Sequence, residues 1–153
     1  MASTNKTANY GLNQWVKTDP VLMEDFNADN AAIDAALKAL ADGALKMQVG
    51  SYVGTGKCAY NGSTLSGTPP TLTPGFRPSF VIAYGNGYLG FFFRSSTTGI
   101  VKYLSSSGSY YAVTAEWTDS TVRWYHNNVY TDTDGNYSLN YEGITYSYAV
   151  FGQ

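Results

Sequence analysis

The sequence is poor in cysteine, histidine and charge. Its single cysteine, Cys58, excludes an intrachain disulfide, and one cysteine with one histidine falls short of the four ligands of a closed zinc site. Charged residues make up only 13% of the chain, so apolar and hydroxyl groups stand where most soluble proteins carry Lys and Glu. No apolar run is long enough to span a membrane, and the first residues lack the apolar stretch of a signal peptide. These absences predict synthesis in a cytoplasm, with no membrane partner and no metal site.

Bases are no more frequent than acids in the larger part of the chain. Residues 48–153 hold five of each, whereas residues 1–47 hold six acids and four bases. A neutral surface cannot neutralise the phosphates of DNA or RNA, and it does not draw a chain to anionic lipid. We therefore predict no nucleic-acid partner, and no motif in the sequence requires a cofactor.

Aromatic residues, by contrast, reach 16%, and 13 of the 14 tyrosines follow residue 50. Tyr and Trp combine a flat apolar face with a polar group, which suits stacking on sugar rings and also suits packing at a subunit interface. The aromatic content therefore predicts either a ligand surface or an assembly surface.

Residues 19–47 have the pattern of a helix, with Asp19 as the predicted N-cap and Pro20 at the first helical position. The apolar residues recur in heptads, which indicates a short coiled coil that joins identical chains, most simply three. The residues predicted to join the copies are Met23, Phe26, Asn30, Ile33, Leu37, Leu40 and Met47, with Ala44 at the same seam. An ordinary amphipathic helix packed on its own domain would show the same periodicity, and Gly43 favours that alternative.

From residue 48 onward, short alternating segments are separated by Gly, Ser, Asn and Thr clusters. The predicted strands are 48–54, 78–84, 88–95, 99–105, 109–117, 121–126, 128–132, 136–141 and 144–151. Residues 55–75 are predicted to be an ordered surface loop, and Gly85-Asn86-Gly87 and Asp134-Gly135 are predicted tight turns.

Alternation also predicts which side chains form the core. These are Tyr111, Val113, Ala115 and Trp117, then Val122 and Trp124, and finally Ile144, Tyr146, Tyr148 and Val150. The predicted fold is therefore mainly β, an antiparallel sandwich or barrel preceded by one N-terminal α-helix.

Two regions carry a resemblance to a known class of proteins. Asn9-Tyr10-Gly11-Leu12-Asn13-Gln14-Trp15, with Asp19-Pro20 and Asp25-Phe26-Asn27, resembles the leader of small tail or fibre proteins in phages and prophages of Gram-positive bacteria. The part between Gly50-Ser51-Tyr52-Val53-Gly54-Thr55-Gly56 and Ile144-Thr145-Tyr146-Ser147-Tyr148-Ala149-Val150-Phe151-Gly152 resembles the receptor-binding β-domain that ends such proteins.

The resemblance implies a virion protein in three parts. Residues 1–18 would be a leader that docks onto other virion proteins, residues 19–47 a helical stem, and residues 48–153 a β-sandwich tip that meets host polysaccharide as a homotrimer. The alternative is a purely structural virion protein, such as a head fibre, collar or adaptor, with no receptor role.

A saccharide ligand needs aromatic faces beside hydrogen-bonding side chains. The predicted ligand-binding residues are Tyr110, Tyr125, His126, Asn127, Asn128, Tyr130, Asp132 and Tyr137, and Tyr141 is a further exposed candidate. The alternative is that the tyrosines fill the sandwich and the subunit interface.

Catalysis has little support in the sequence. Glu116 and Glu142 are the only glutamates of the β-part available as a glycosidase pair, and no nucleophile motif surrounds Cys58 or His126. Residues 132–136 resemble the start of a calcium loop, but a tight turn explains them more simply. We therefore predict a protein that binds and does not catalyse.

Overall fold

The computed structural model describes residues 3, 5–105 and 110–153, and it is mainly β with one N-terminal helix, as predicted. Position 109, at the start of one predicted strand, lies outside the described residues, as do positions 1, 2 and 4 of the predicted leader. The contacts divide the chain into two units, Met1–Ala44 and Leu45–Gln153. The leader and the helix therefore belong to one unit.

The N-terminal unit contains a two-stranded hairpin and the helix. Strands β1 (Asn5–Lys6) and β2 (Asn13–Gln14) are antiparallel, and α1 spans Met23–Gly43. Asn13 is buried, and its backbone N–H and its side-chain amide donate to the Asp29 carboxylate of α1 at 2.9–3.0 Å. This carboxylate ties the leader to the helix.

Both ends of the helix differ from the prediction. The helix begins at Met23 with Leu22 as N-cap, because the Asp19 carboxylate instead accepts a hydrogen bond from the backbone N–H of Val16 at 3.0 Å. It ends at Gly43, so the assignment of Met47 to the helical seam was wrong. Met47 lies in a strand that pairs with the C-terminal strand over eight residues, and those hydrogen bonds outweigh the helical pattern.

The C-terminal unit is built on one ten-stranded sheet. Its strands are β3 (Lys46–Val53), β4 (Ala59–Tyr60), β5 (Leu65–Ser66), β6 (Thr71–Leu72), β7 (Pro78–Gly85), β8 (Tyr88–Phe93), β9 (Thr98–Tyr103), β10 (Tyr110–Trp117), β11 (Val122–His126) and β12 (Thr145–Gly152). The order across the sheet is β3-β12-β7-β8-β9-β10-β11-β4-β5, with β6 paired to β11. Strand β3 therefore forms an edge, and β7 to β11 form an antiparallel meander.

The sheet curves around its core in a sandwich-like fold. The rings of Phe92 on β8 and Trp124 on β11 stack at a centroid distance of 4.5 Å, although two strands separate β8 from β11 in the sheet. Flat strands lie about 4.8 Å apart, so such a contact requires the sheet to bend over itself. Of the predicted core, Val113, Ala115, Val122, Trp124, Tyr146 and Val150 are fully buried, and Tyr111, Trp117, Ile144 and Tyr148 pack around them.

Several local predictions have clear outcomes. Asn86 and Gly87 both have positive φ and close the β7–β8 hairpin, as a tight turn requires. The predicted strands 128–132 and 136–141 do not form, since this segment consists of turns. Residues 55–75 are ordered as predicted, but they also contain three two-residue strands.

Candidate ligand-binding site

Two segments pack together through Asn140: residues 54–70, which include the short strands β4 and β5, and residues 127–144. Its buried side chain donates to the carbonyl oxygens of Gly56 at 2.7 Å and Thr68 at 2.9 Å, and it accepts from the backbone N–H of Thr55 at 3.0 Å. Asn140 lies more than 70 residues after each of these three partners in the sequence. One amide therefore joins the two segments into a single platform, which we call the loop platform.

Asp132 organises the second of these segments from within. It is buried, its Oδ1 accepts from the backbone N–H of Tyr137 at 3.0 Å, and its Oδ2 accepts from the N–H and hydroxyl of Ser138 at 3.0 and 2.7 Å. A carboxylate so fully occupied cannot meet a ligand at the surface, so its assignment as a ligand-binding residue was wrong. Its role is to hold the turn that contains Gly135, whose φ of 82° favours glycine.

Core side chains fix the platform to the sheet. The Tyr52 hydroxyl donates to the Leu139 carbonyl at 2.8 Å, and the indole N–H of Trp124 donates to the Ser138 carbonyl at 2.9 Å. The Tyr146 hydroxyl accepts from the backbone N–H of Tyr141 at 3.1 Å. Turns held by buried hydrogen bonds provide a rigid base for exposed side chains.

An open cleft of about 240 Å³ lies between the two halves of the loop platform, and we call it the tyrosine–asparagine cleft. It is lined by Tyr60, Asn61, Gly62, Asn127, Asn128, Val129 and Tyr130. The Tyr130 side chain is 88% exposed, and its backbone N–H donates to the Asn128 side chain at 2.8 Å, which fixes the turn that presents the ring. Two phenol rings and several amides therefore face one small space, a combination suited to a neutral polar ring such as a sugar.

A second cleft, of about 540 Å³, lies on the same platform and is more charged. Its lining consists of Gly56, Lys57, Thr133, Asp134, Tyr141 and Glu142. It brings Tyr141, which sequence analysis singled out, beside one cation and two carboxylates. A longer ligand could place further polar groups there.

Three of the eight predicted ligand residues line the cleft, and the others lie elsewhere. Asn127, Asn128 and Tyr130 line the tyrosine–asparagine cleft. His126 is buried, and its Nδ1 accepts from the backbone N–H of Asn128 at 3.1 Å, so it supports the cleft and does not line it. Tyr110 is exposed at the start of β10, where it pairs with Lys102, and it does not line the cleft.

The remaining two tyrosines are occupied by neighbours. The Tyr125 hydroxyl donates to Glu116 at 2.9 Å, and its ring lies 6.5 Å from that of Tyr60. Tyr137 stacks on Tyr111 at a centroid distance of 3.6 Å, and hydrogen bonding to Tyr111 together with burial raises the pKa of Tyr137 to about 12. Tyr125 therefore lies behind Tyr60 at the wall of the cleft, whereas Tyr137 packs against Tyr111 and His126 away from the cleft lining.

Sequence analysis did not identify Tyr60, Asn61 and Gly62 as ligand residues. They lie in the long loop 55–75, and loops of that length within compact domains often carry function. The Asn61 side chain accepts from the backbone N–H groups of Ser63 and Thr64 at 3.0 and 2.8 Å, which shapes the turn beside the cleft. An Asn-Gly pair between two aromatic or apolar strand residues is the sequence signal for this turn.

Of the candidate catalytic groups, Glu116 is engaged by neighbouring side chains and Cys58 is buried. Burial raises the pKa of Glu116, but hydrogen bonds from Tyr125 and Arg123 and the charge of Arg123 bring that pKa below its usual range. Glu142 lines the second cleft. Burial, with a contribution from Asp132, raises the pKa of the Cys58 thiol to about 11, which makes it a poor nucleophile at neutral pH.

Within the part of the chain that the structure describes, no group of three or more His, Cys, Asp or Glu side chains is placed to hold a metal ion. Among the same residues, no helix is both long and apolar enough to cross a membrane. No protein-family model matches the sequence, and no curated protein or solved structure is significantly similar to it. Functional inference therefore depends on the residues and geometry of this chain.

Proposed function

We propose that this protein is a phage virion fibre-tip protein, not an enzyme, that recognises a host cell-surface glycan as a homotrimer. The observation that carries the glycan-binding role is the tyrosine–asparagine cleft, in which Tyr60 and Tyr130 lie beside Asn61, Asn127 and Asn128 on a rigid platform. Stacking and amide hydrogen bonds are the contacts that neutral saccharides use. The resemblance of the leader and the β-domain to phage fibre proteins supports the virion role.

A cleft of about 240 Å³ is smaller than the pockets of about 300 Å³ or more that bind drug-sized ligands. Each copy would therefore contact little more than one sugar unit and bind it weakly. Three linked copies would make such weak sites effective on a repetitive cell-wall polymer, because the second and third contacts are intramolecular.

The helix supports self-association. Every residue of α1 is exposed or only half-buried, and the seam residues Met23, Phe26, Ile33, Leu37 and Leu40 all present apolar surface. Tyr10 and Leu12 of the leader join Ile33, Leu37 and Leu40 around an apolar groove of about 260 Å³. A matching side chain of a neighbouring copy would fill such a groove, as knobs fill holes in a coiled coil. Asn30 lies on the same exposed helix, where it would set the register.

Binding by the cleft is tested with Tyr130→Ala. Loss of one stacking ring should weaken binding to purified Gram-positive cell-wall polysaccharide about tenfold, since such a contact contributes about 1–1.5 kcal/mol. Tyr110→Ala removes another exposed tyrosine ring, 69% exposed against 88% for Tyr130, that lies outside the cleft, and this variant should bind like the wild type. Affinity is measured by biolayer interferometry on immobilised polysaccharide and by a cell pull-down.

Equal binding by the Tyr130→Ala variant and the wild type would remove the cleft from the proposal. Silence of the wild type on glycan arrays and on cells, with retained binding of the N-terminal segment to a virion component, would favour a purely structural virion protein. The exposed apolar residues of α1 are the observation that supports that second role.

The helical seam is tested with the double variant Ile33→Asp/Leu37→Asp. In light scattering at about 10 μM, the mass of the wild type should be a multiple of three chain masses of 16.6 kDa, and the variant should lose this threefold association, because buried aspartates oppose it. Ala28→Asp/Ala35→Asp adds the same charges to exposed positions outside the seam and should leave the trimer intact. A wild type with the mass of one chain at every concentration would contradict the homotrimer.

A further inference from the structure

The outer face of the sheet, opposite the core, carries a continuous apolar surface across four neighbouring strands. Phe151 of β12 pairs with Met47 of β3 on one side and with Phe80 of β7 on the other, and Phe80 pairs with Phe93 of β8. The ring of Phe80 stacks on Phe93 at 4.6 Å and on Phe151 at 5.7 Å. Three phenylalanines and a methionine thus form one row across the strands.

A second row runs beside the first. Val49 pairs with Ala149, Ala149 with Ile82, Ile82 with Phe91, and Phe91 with Ile100 of β9. We call these two rows together the apolar sheet face. None of the outward side chains of β3, β12, β7 and β8 is charged, and Lys102 of β9 lies next to Ile100 at the border of this face.

The rest of the outer face is polar by comparison. On β10 and β11, Glu116 pairs with Arg123 and accepts from Tyr125, and Thr114 donates to Asn127. Charge and hydrogen bonding therefore satisfy one side of the outer face, while the other side exposes hydrocarbon to water.

The exposed area is that of an interface. Met47, Val49, Phe93 and Ile100 of the two rows, together with Val53 and Tyr84 farther along the outer sides of β3 and β7, are each 48–66% exposed. With the half-buried Phe80, Phe91 and Phe151, they offer roughly 700 Å² of apolar surface, which exceeds the patch of a few hundred Å² usual on a monomer. A stable interface of standard size buries about 800 Å² on each partner.

We propose that the apolar sheet face packs against a second copy of this chain. Its area matches what one partner contributes to a stable dimer, and its aromatic composition without charge is that of an interface centre. Because the face carries no charge, it does not select a partner of opposite sign, and two copies meet without like-charge repulsion. Symmetric association of identical chains is the commonest assembly of soluble proteins. The inference is independent of the glycan site and of the helical seam.

The test uses the full chain with Val49→Glu/Phe93→Glu. Both side chains are exposed in the single chain, so folding should be retained, as far-UV circular dichroism and the urea midpoint would show. We expect the dissociation constant, measured by sedimentation equilibrium, to rise at least 100-fold, because two carboxylates would be buried without partners. The control Ser66→Glu/Ser120→Glu adds the same charge at exposed positions outside this face and should associate like the wild type.

Introducing Val49→Glu/Phe93→Glu into the Ile33→Asp/Leu37→Asp background separates association through the apolar sheet face from association through the helical seam. Unchanged association of Val49→Glu/Phe93→Glu would overturn the proposal while leaving the helix-based trimer in place. A wild-type chain with the mass of one copy up to about 1 mM would overturn both. Should the charged variant fail to fold, hydrogen exchange of the wild type decides: slower exchange in β3 and β8 at high than at low concentration supports the proposal, and no difference overturns it.

Discussion

Replacing Asn140 with alanine is expected to lower the free energy of unfolding by about 3 kcal/mol and to abolish binding at the platform. The side chain is buried and satisfies the carbonyls of Gly56 and Thr68 and the N–H of Thr55. Each buried backbone group left without a partner costs about 1–3 kcal/mol, and water entering the space vacated by the amide recovers part of that. Urea unfolding followed by tryptophan fluorescence measures the loss.

The control for this prediction is Asn136→Ala in the same segment. The Asn136 side chain accepts one exposed hydrogen bond from Asn86 at 2.9 Å, so its loss should cost less than about 1 kcal/mol. Equal midpoints for the two variants would show that Asn140 does not hold the platform together. Retained polysaccharide binding by a folded Asn140→Ala variant would show that the cleft does not require this link.

The sheet could be predicted from the sequence wherever one face of a strand is buried. On β10 the side chains of Tyr111, Val113, Ala115 and Trp117 alternate with exposed or half-buried residues, and that period of two fixes both the strand and its inward face. The same reasoning located β11 and β12. Strand ends shifted by one or two residues, since pairing partners decide where a strand stops.

The loop platform was harder to predict because its hydrogen bonds are long-range. Residues 128–141 contain enough Tyr, Val and Thr to resemble strands, yet Asp132 and Asn140 direct the backbone into turns, and Leu139 adopts a φ of 53°. A polar residue in a sequence pattern predicts an exposed side chain, whereas Asp132 and Asn140 are both buried. For this reason Asp132 was assigned to the ligand and Asn140 was not recognised.

The apolar sheet face does have a signal in the sequence. Phe80-Val81-Ile82-Ala83 and Phe91-Phe92-Phe93 are continuous apolar runs, and such runs are typical of strands covered on both faces. Alternation alone assigns only Val81, Ala83 and Phe92 to the core. The other residues of these runs point outward, where a second layer would have to cover them.

Raising the pH from 9 to about 12 is expected to remove about 5 kcal/mol from the free energy of unfolding. Burial raises the pKa of Cys58 from its ordinary value of 9.0 to about 11, and that of Tyr146 from 10.0 to about 12. Both side chains are fully buried. A pKa difference of this size corresponds to about 2.7 kcal/mol for each group. Burial also raises the pKa of Tyr52 well above its ordinary value, in the same direction.

The sign follows from which state loses its proton first. The unfolded chain ionises Cys58 near pH 9 and Tyr146 near pH 10, while the folded chain keeps both neutral until about pH 11 and 12. Stability is therefore complete below pH 9 and falls as the pH rises through these ranges.

Urea unfolding at a series of pH values should show the decline. Cys58→Ala should flatten it mainly between pH 9 and 11, and Tyr146→Phe mainly between pH 10 and 12, so each variant is the control for the other. A decline of the same slope in both variants and the wild type would mean that Cys58 and Tyr146 are not its cause.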